Sequence, residues 1–136
     1  METANSVLKP MPDASYRLMA MAYKISAPFC SVQRQIDLLD LREGMTVVDY
    51  GCGPGRDTIP VARIVTESRK VFAVDIHPLA VKTIRKKAEK MGFKNIVPIL
   101  IDSYRTGIAD ASIDLVLLID IIPNIPKTAG ESIYGT

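Results

Sequence analysis

The chain has 136 residues, a length that suggests one domain built around one core. Its 48% hydrophobic and 24% charged residues are an ordinary globular mixture, and a net charge of +2 is too small to point to nucleic acid. No apolar run approaches the roughly 18 residues a membrane span needs, and METANSVLKPMPDASYR has no apolar stretch of the kind a secretory leader carries. The two cysteines, Cys30 and Cys52, form no CxxC pair, so they read as reduced thiols and the expected location is cytoplasmic. With a single histidine beside them there is no metal-ligand spacing, and no metal is expected.

Pro10 and Pro12 give the chain a loose start. Asp13 is placed to cap a helix running to about Ser26, with Tyr16, Met19, Ala20 and Tyr23 on one face. Met11, Met19 and Met21 read as packing residues of this region. Pro28 ends the helix, and Ser31 can cap a second one, with Val32, Ile36 and Leu39 spaced four and three apart, that stops at Gly44. Residues 1–43 therefore read as an N-terminal helical segment, and 44–136 as the core.

The period then changes. MTVVDY is short, β-branched and followed by glycine, which fits a buried strand. Asp57 or Thr58 starts a helix with Pro60 in its first turn, where the missing N–H costs little. KVFAVD is a second strand. His77 and Pro78 open a third helix, with Val81, Ile84, Ala88 and Met91 along one side, and the basic run KTIRKKAEK is its solvated face. IVPILI and IDLVLLID are the third and fourth strands. Strands alternating with helices predict an α/β fold with a parallel sheet and right-handed crossovers.

Three glycines stand in five residues directly behind the first strand, Gly51, Gly53 and Gly55 in GCGPG. Gly51 allows a tight turn, and Gly53 and Gly55 let backbone N–H groups approach a ligand; the alternative is that they only shape a strand-to-helix turn. The spacing is GxGxG and not GxGxxG, which weakens a reading as a nicotinamide-dinucleotide protein. Arg56-Asp57-Thr58 occupies the place of a P-loop Lys-Ser/Thr, so a phosphate cradle is disfavoured. Asp75 ends the second strand, 20 residues past Gly55, where a carboxylate can accept both hydroxyls of a ribose. His77 is a helix-start residue before Pro78 or, alternatively, a catalytic base. Cys52, between two glycines, is most simply a small space-filler.

In VVDYGCGPG, VFAVDIHP, ILIDS and SIDLVLL, taken in order, the chain resembles class I S-adenosylmethionine-dependent methyltransferases over roughly Gly44 to Ile122. Within that class it is most similar to the group of quinone-ring C-methyltransferases and arsenite methyltransferases. The resemblance implies a Rossmann-like doubly wound parallel sheet and S-adenosylmethionine as cofactor. By position, Asp49 and the Gly51–Gly55 backbone, Cys52 included, would hold the methionine end. Asp75 would bind the ribose hydroxyls and Ile76 would lie against the adenine. Asp102 and Ser103 would meet the adenine amino group and ring nitrogen. The N-terminal helical segment would cover this site. Asp120 and Asn124, after the fourth strand, are candidates to orient a nucleophile or take a proton, or are a polar strand end. The expected acceptor is a small molecule, with no nucleic-acid or membrane partner.

The family's sheet has seven strands in the order 3-2-1-4-5-7-6. This sequence supplies 3-2-1-4 and then IPNIPKTAGESIYGT, so strands five to seven are expected to be missing. Two readings remain: a methyltransferase, or a non-catalytic cofactor- or partner-binding module derived from a truncated one. The fourth strand, apolar on both faces from Ile113 to Ile122 apart from Asp114 and Asp120, is then an edge through which the chain is expected to self-associate.

Overall fold

The computed structural model describes residues 8–26 and 32–119. Pro28, Cys30, Ser31, Asp120 and Asn124 lie outside the described residues, and so does all of IPNIPKTAGESIYGT after the fourth strand.

In chain order the elements are α1 (Asp13–Ser26), α2 (Val32–Asp37), β1 (Val47–Tyr50), α3 (Thr58–Val65), β2 (Val71–Asp75), α4 (Pro78–Met91), β3 (Ile96–Leu100) and β4 (Leu115–Leu117). All strand pairs are parallel, and the sheet order is β3-β2-β1-β4. Both the α/β class and the strand order expected from sequence are present.

Period-two alternation divides the sheet between two apolar clusters. On one side Val47, Val71, Ala73, Ile96 and Leu117 pack against Ile36 of α2, Ile59, Val61, Ala62 and Val65 of α3, and Ile84 and Ala88 of α4. On the other, Val48, Tyr50, Val74 and Ile101 are joined by partly buried Phe72, Ile99, Ile108 and Leu118. β1 is buried along its whole length, as the inner strand of a parallel sheet should be. Pro98 sits in β3, opposite Ala73, at the edge of the sheet where a missing N–H is tolerated.

Some bounds differ from expectation: α2 ends at Asp37, well short of Gly44, so Leu39 lies beyond it. β4 is regular only over Leu115–Leu117, because Asp114 turns its groups to the start of β1: its backbone N–H donates to the Thr46 carbonyl at 2.9 Å, and its Oδ2 accepts from the Thr46 N–H at 2.7 Å. Met91, expected on the buried side of α4, is 45% exposed, because Gly92 comes next in the left-handed conformation and Phe93 packs against the core instead. The face of α1 away from the core leaves Leu18, Met21 and Ile25 exposed.

Candidate functional site

The carboxyl ends of β1 and β2 open into a cavity of about 480 Å³. Its floor is the loop after β1, its far wall Asp75, Ile76 and His77, and its roof Leu8, Met11 and the α1 residues Tyr16, Met19 and Tyr23. Ile101 and Tyr104, from the crossover between β3 and β4, close one side.

The loop is held by its own hydrogen bonds. The N–H groups of Gly51 and Cys52 both donate to the Val74 carbonyl, at 2.7 and 3.0 Å. The Gly53 N–H donates to Asp75 Oδ2 at 2.8 Å, and the Gly55 N–H to the Cys52 carbonyl at 3.1 Å. Pro54 has no N–H, so from Gly51 to Gly55 every backbone donor is directed to protein. The expectation that Gly53 and Gly55 lend N–H groups to a ligand is thereby revised. Gly55 instead lets the loop lie against α4. A Cβ there would come within 2.4 Å of Ile84 Cδ1, and its φ of +88° is a glycine conformation. Gly53, with φ +52°, faces open space: apart from its chain neighbours, no atom lies within 4 Å of where its Cβ would be. Lys87 of α4 donates its Nζ to the Pro54 carbonyl and ties the loop down from behind.

Asp75 is the hub of the wall. Besides Gly53, its Oδ1 accepts the N–H of His77 at 2.9 Å. Each carboxylate oxygen carries a second lone pair, so acceptor capacity for two ligand hydroxyls remains. His77 caps α4: its Nδ1 accepts the Leu79 N–H at 3.2 Å, and Pro78 takes the first helical position. Nε2 therefore carries the ring proton and donates it to the Met11 carbonyl at 2.9 Å. The ring stacks on Tyr16 at 4.3 Å between centroids. With both nitrogens engaged, His77 is a structural joint between roof and wall, in line with the helix-start reading and not with a catalytic base. Burial, with Asp75 next, pushes the Tyr16 phenol up to about 12.

Of the residues expected to touch a cofactor, Gly51, Cys52, Gly53, Asp75 and Ile76 line the cavity. Asp49, Gly55, Asp102 and Ser103 are not among its lining residues. Asp49 shares a sheet face with Val47, toward α3, and its Oδ2 accepts the Thr58 hydroxyl at 2.6 Å, joining the end of β1 to the start of α3. Complete burial pushes its carboxyl up to about 7, against the lowering effect of that hydroxyl. Asp102 is exposed after β3, and its backbone carbonyl accepts the Leu8 N–H at 2.7 Å. Cys52 is buried in the core, which raises its thiol well above the usual range, as a space-filler should be.

Sequence reasoning missed Arg56, Tyr50 and Tyr104. In the sequence Arg56 stands out only as a departure from the P-loop pattern, and the two tyrosines carry no motif. The Tyr50 hydroxyl donates to the Tyr104 carbonyl at 3.4 Å and fixes the crossover beside the cavity. The guanidinium of Arg56 lies 5.2 Å from the Tyr23 ring centroid, and its Nη2 is 3.5 Å from Asp57 Oδ2.

A family model of the methyltransferase domain matches residues 41–131. The chain belongs to the methyltransferase domain family. Its cofactor is S-adenosylmethionine, and the cavity fits that molecule in kind. It offers a strand-end carboxylate for ribose, apolar Ile76 and Ile101 for a flat ring, and a glycine whose missing side chain leaves space open.

Protein-L-isoaspartate O-methyltransferase of Methanothrix thermoacetophila is 34% identical over 80% of this chain and 51% of its own length. The enzyme of that name from Methanococcoides burtonii is 30% identical over 80% of this chain and 53% of its length. The methyltransferase domain thus spans about half the length of the curated relatives it matches. A crystallised SAM-dependent methyltransferase from Aquifex aeolicus shares the fold, with a TM-score of 0.67 over 79% of this chain and 56% of that one at 22% identity. The expectation of a small-molecule acceptor is corrected by the relatives: the acceptor in their names is a residue of a protein. Among the described residues no helix is long and apolar enough to cross a membrane, and no group of His, Cys, Asp and Glu could hold a metal ion.

Proposed function

We propose that this chain is the S-adenosylmethionine-binding part of a methyltransferase whose acceptor is a carboxylate on a protein, with an isoaspartyl residue as that carboxylate. The observation that carries the reading is the cavity over the glycine loop, walled by Asp75. The protein acceptor is drawn from the relatives named above. Asp75 would take the ribose hydroxyls, Ile76 the adenine face, and the Gly51–Gly53 turn the methionine end, with residues 8–26 as the cover.

When bound, the cofactor supplies an electrophilic methyl group on a sulfonium. An isoaspartyl carboxylate is already ionised at neutral pH, so no side chain has to remove a proton from it. That agrees with a cavity whose only histidine has both nitrogens engaged. What the protein contributes is then alignment and exclusion of water. A second reading is a module that binds the cofactor without turnover.

Transfer of a labelled methyl group from S-adenosylmethionine to an isoaspartyl peptide tests both. Base-labile label on the isoaspartyl peptide, absent from its aspartyl twin, is expected. Tight cofactor binding with no label on either peptide would select the second reading.

A further inference from the structure

The methionine end of the cofactor carries a carboxylate, and so does the proposed acceptor. Yet every N–H from Gly51 to Gly55 is directed to protein, and Asp57 and Asp75 beside them are acids. An anion brought into this cavity needs a cation at its wall. Arg56 is placed there. It comes directly after the loop, lines the cavity, and its side chain is only 16% exposed.

Two contacts prepare it. Tyr23 lies against the guanidinium, which engages the face of the group while its N–H donors point outward in the plane. Asp57 holds it from one side at 3.5 Å. A guanidinium fixed in this way loses little freedom on meeting a carboxylate, and its fork matches the two oxygens of one. A plain brace between α1 and the loop would serve as well with lysine or glutamine. A carboxylate receptor would not.

We propose that Arg56 is the carboxylate-binding group of this cavity. The inference rests on the cofactor assignment, and for one of its two sources on the proposed acceptor. The cofactor's methionine carboxylate and the acceptor's carboxylate present the same chemistry, and the test separates them.

Four ligands are titrated against the wild-type chain, Arg56→Gln and Arg56→Lys by calorimetry. S-adenosylhomocysteine is compared with 5′-methylthioadenosine, which lacks the amino-acid end. An isoaspartyl peptide is compared with its carboxamide analogue, both at saturating 5′-methylthioadenosine. Arg56→Gln is expected to weaken at least one carboxylate-bearing ligand by about tenfold or more, with its neutral counterpart unchanged. Loss on S-adenosylhomocysteine assigns the residue to the cofactor, and loss on the peptide assigns it to the acceptor. Arg56→Lys, which keeps the charge but not the fork, should fall between and covers the case in which the glutamine variant fails to fold. Unchanged affinities, or equal losses on charged and neutral members of both pairs, would reduce Arg56 to a brace and overturn the proposal. So would a wild-type chain that binds none of the four. A wild-type chain that binds S-adenosylhomocysteine but neither peptide would remove the isoaspartyl acceptor and leave the first pair to decide on Arg56.

Discussion

Asp49 shows how a single buried group can set a pH dependence. Its carboxyl is raised to about 7 in the fold against an ordinary value of 3.8. The folded state therefore holds the proton more tightly than the unfolded chain. Its favourable contribution is complete below about pH 4 and is lost as pH rises through about 7, where an ionised, enclosed carboxylate costs up to roughly 4 kcal/mol. Asp49→Asn keeps the acceptor for Thr58 and has no charge to bury. Its melting temperature should exceed that of the wild type at pH 8, with the gap closing toward pH 5. Thermal unfolding followed by circular dichroism at both pH values checks this; a gap of equal size at both would refute it. Asp75 makes the opposite kind of contribution, to binding. Asp75→Ala should weaken S-adenosylhomocysteine by about 1–3 kcal/mol in a calorimetric titration, the loss expected when hydroxyls lose a charged acceptor. Both acids could be picked out from sequence as the polar residues of their strands. That Asp49 faces α3 and not the cavity depends on which sheet face it shares, and a motif does not record that.

At the scale of elements, the helices and strands were legible because apolar spacing changes from three-and-four to continuous runs, and because β1 and α4 are each followed directly by a glycine. What was not legible is how elements are joined. Asn95 carries no periodic signal, yet it is buried, and its Nδ2 donates to the carbonyls of Ala62 and Thr66 at 3.0 and 2.8 Å. It closes the end of α3, where Thr66 has φ +62°, from the residue that precedes β3. Asn95→Ala should cost about 1–3 kcal/mol in denaturant unfolding, leaving two carbonyls without their donor. Gly55→Ala should cost a comparable amount, about 1–3 kcal/mol, since it combines an unfavourable φ with crowding of the fully buried Ile84. Adding Ile84→Val should recover part of that loss. If the double variant is no more stable than the single one, crowding is not the cause.

Over the whole molecule, four parallel strands in the order β3-β2-β1-β4 bring the glycine loop, Asp75 and the β3–β4 crossover to one end of the sheet, and α1 lies across them. The sequence motifs located that end and its cofactor. They left out Arg56, Tyr50 and Tyr104, which matter through contacts between distant segments, and they pointed to a small-molecule acceptor where the names of the relatives give a protein residue. The cofactor site over the glycine loop is checked by calorimetric titration of the chain with S-adenosylhomocysteine and, separately, with NAD. Saturable one-to-one binding of the first and no measurable heat with the second are expected. No binding of S-adenosylhomocysteine, or binding of NAD with equal affinity, would contradict it.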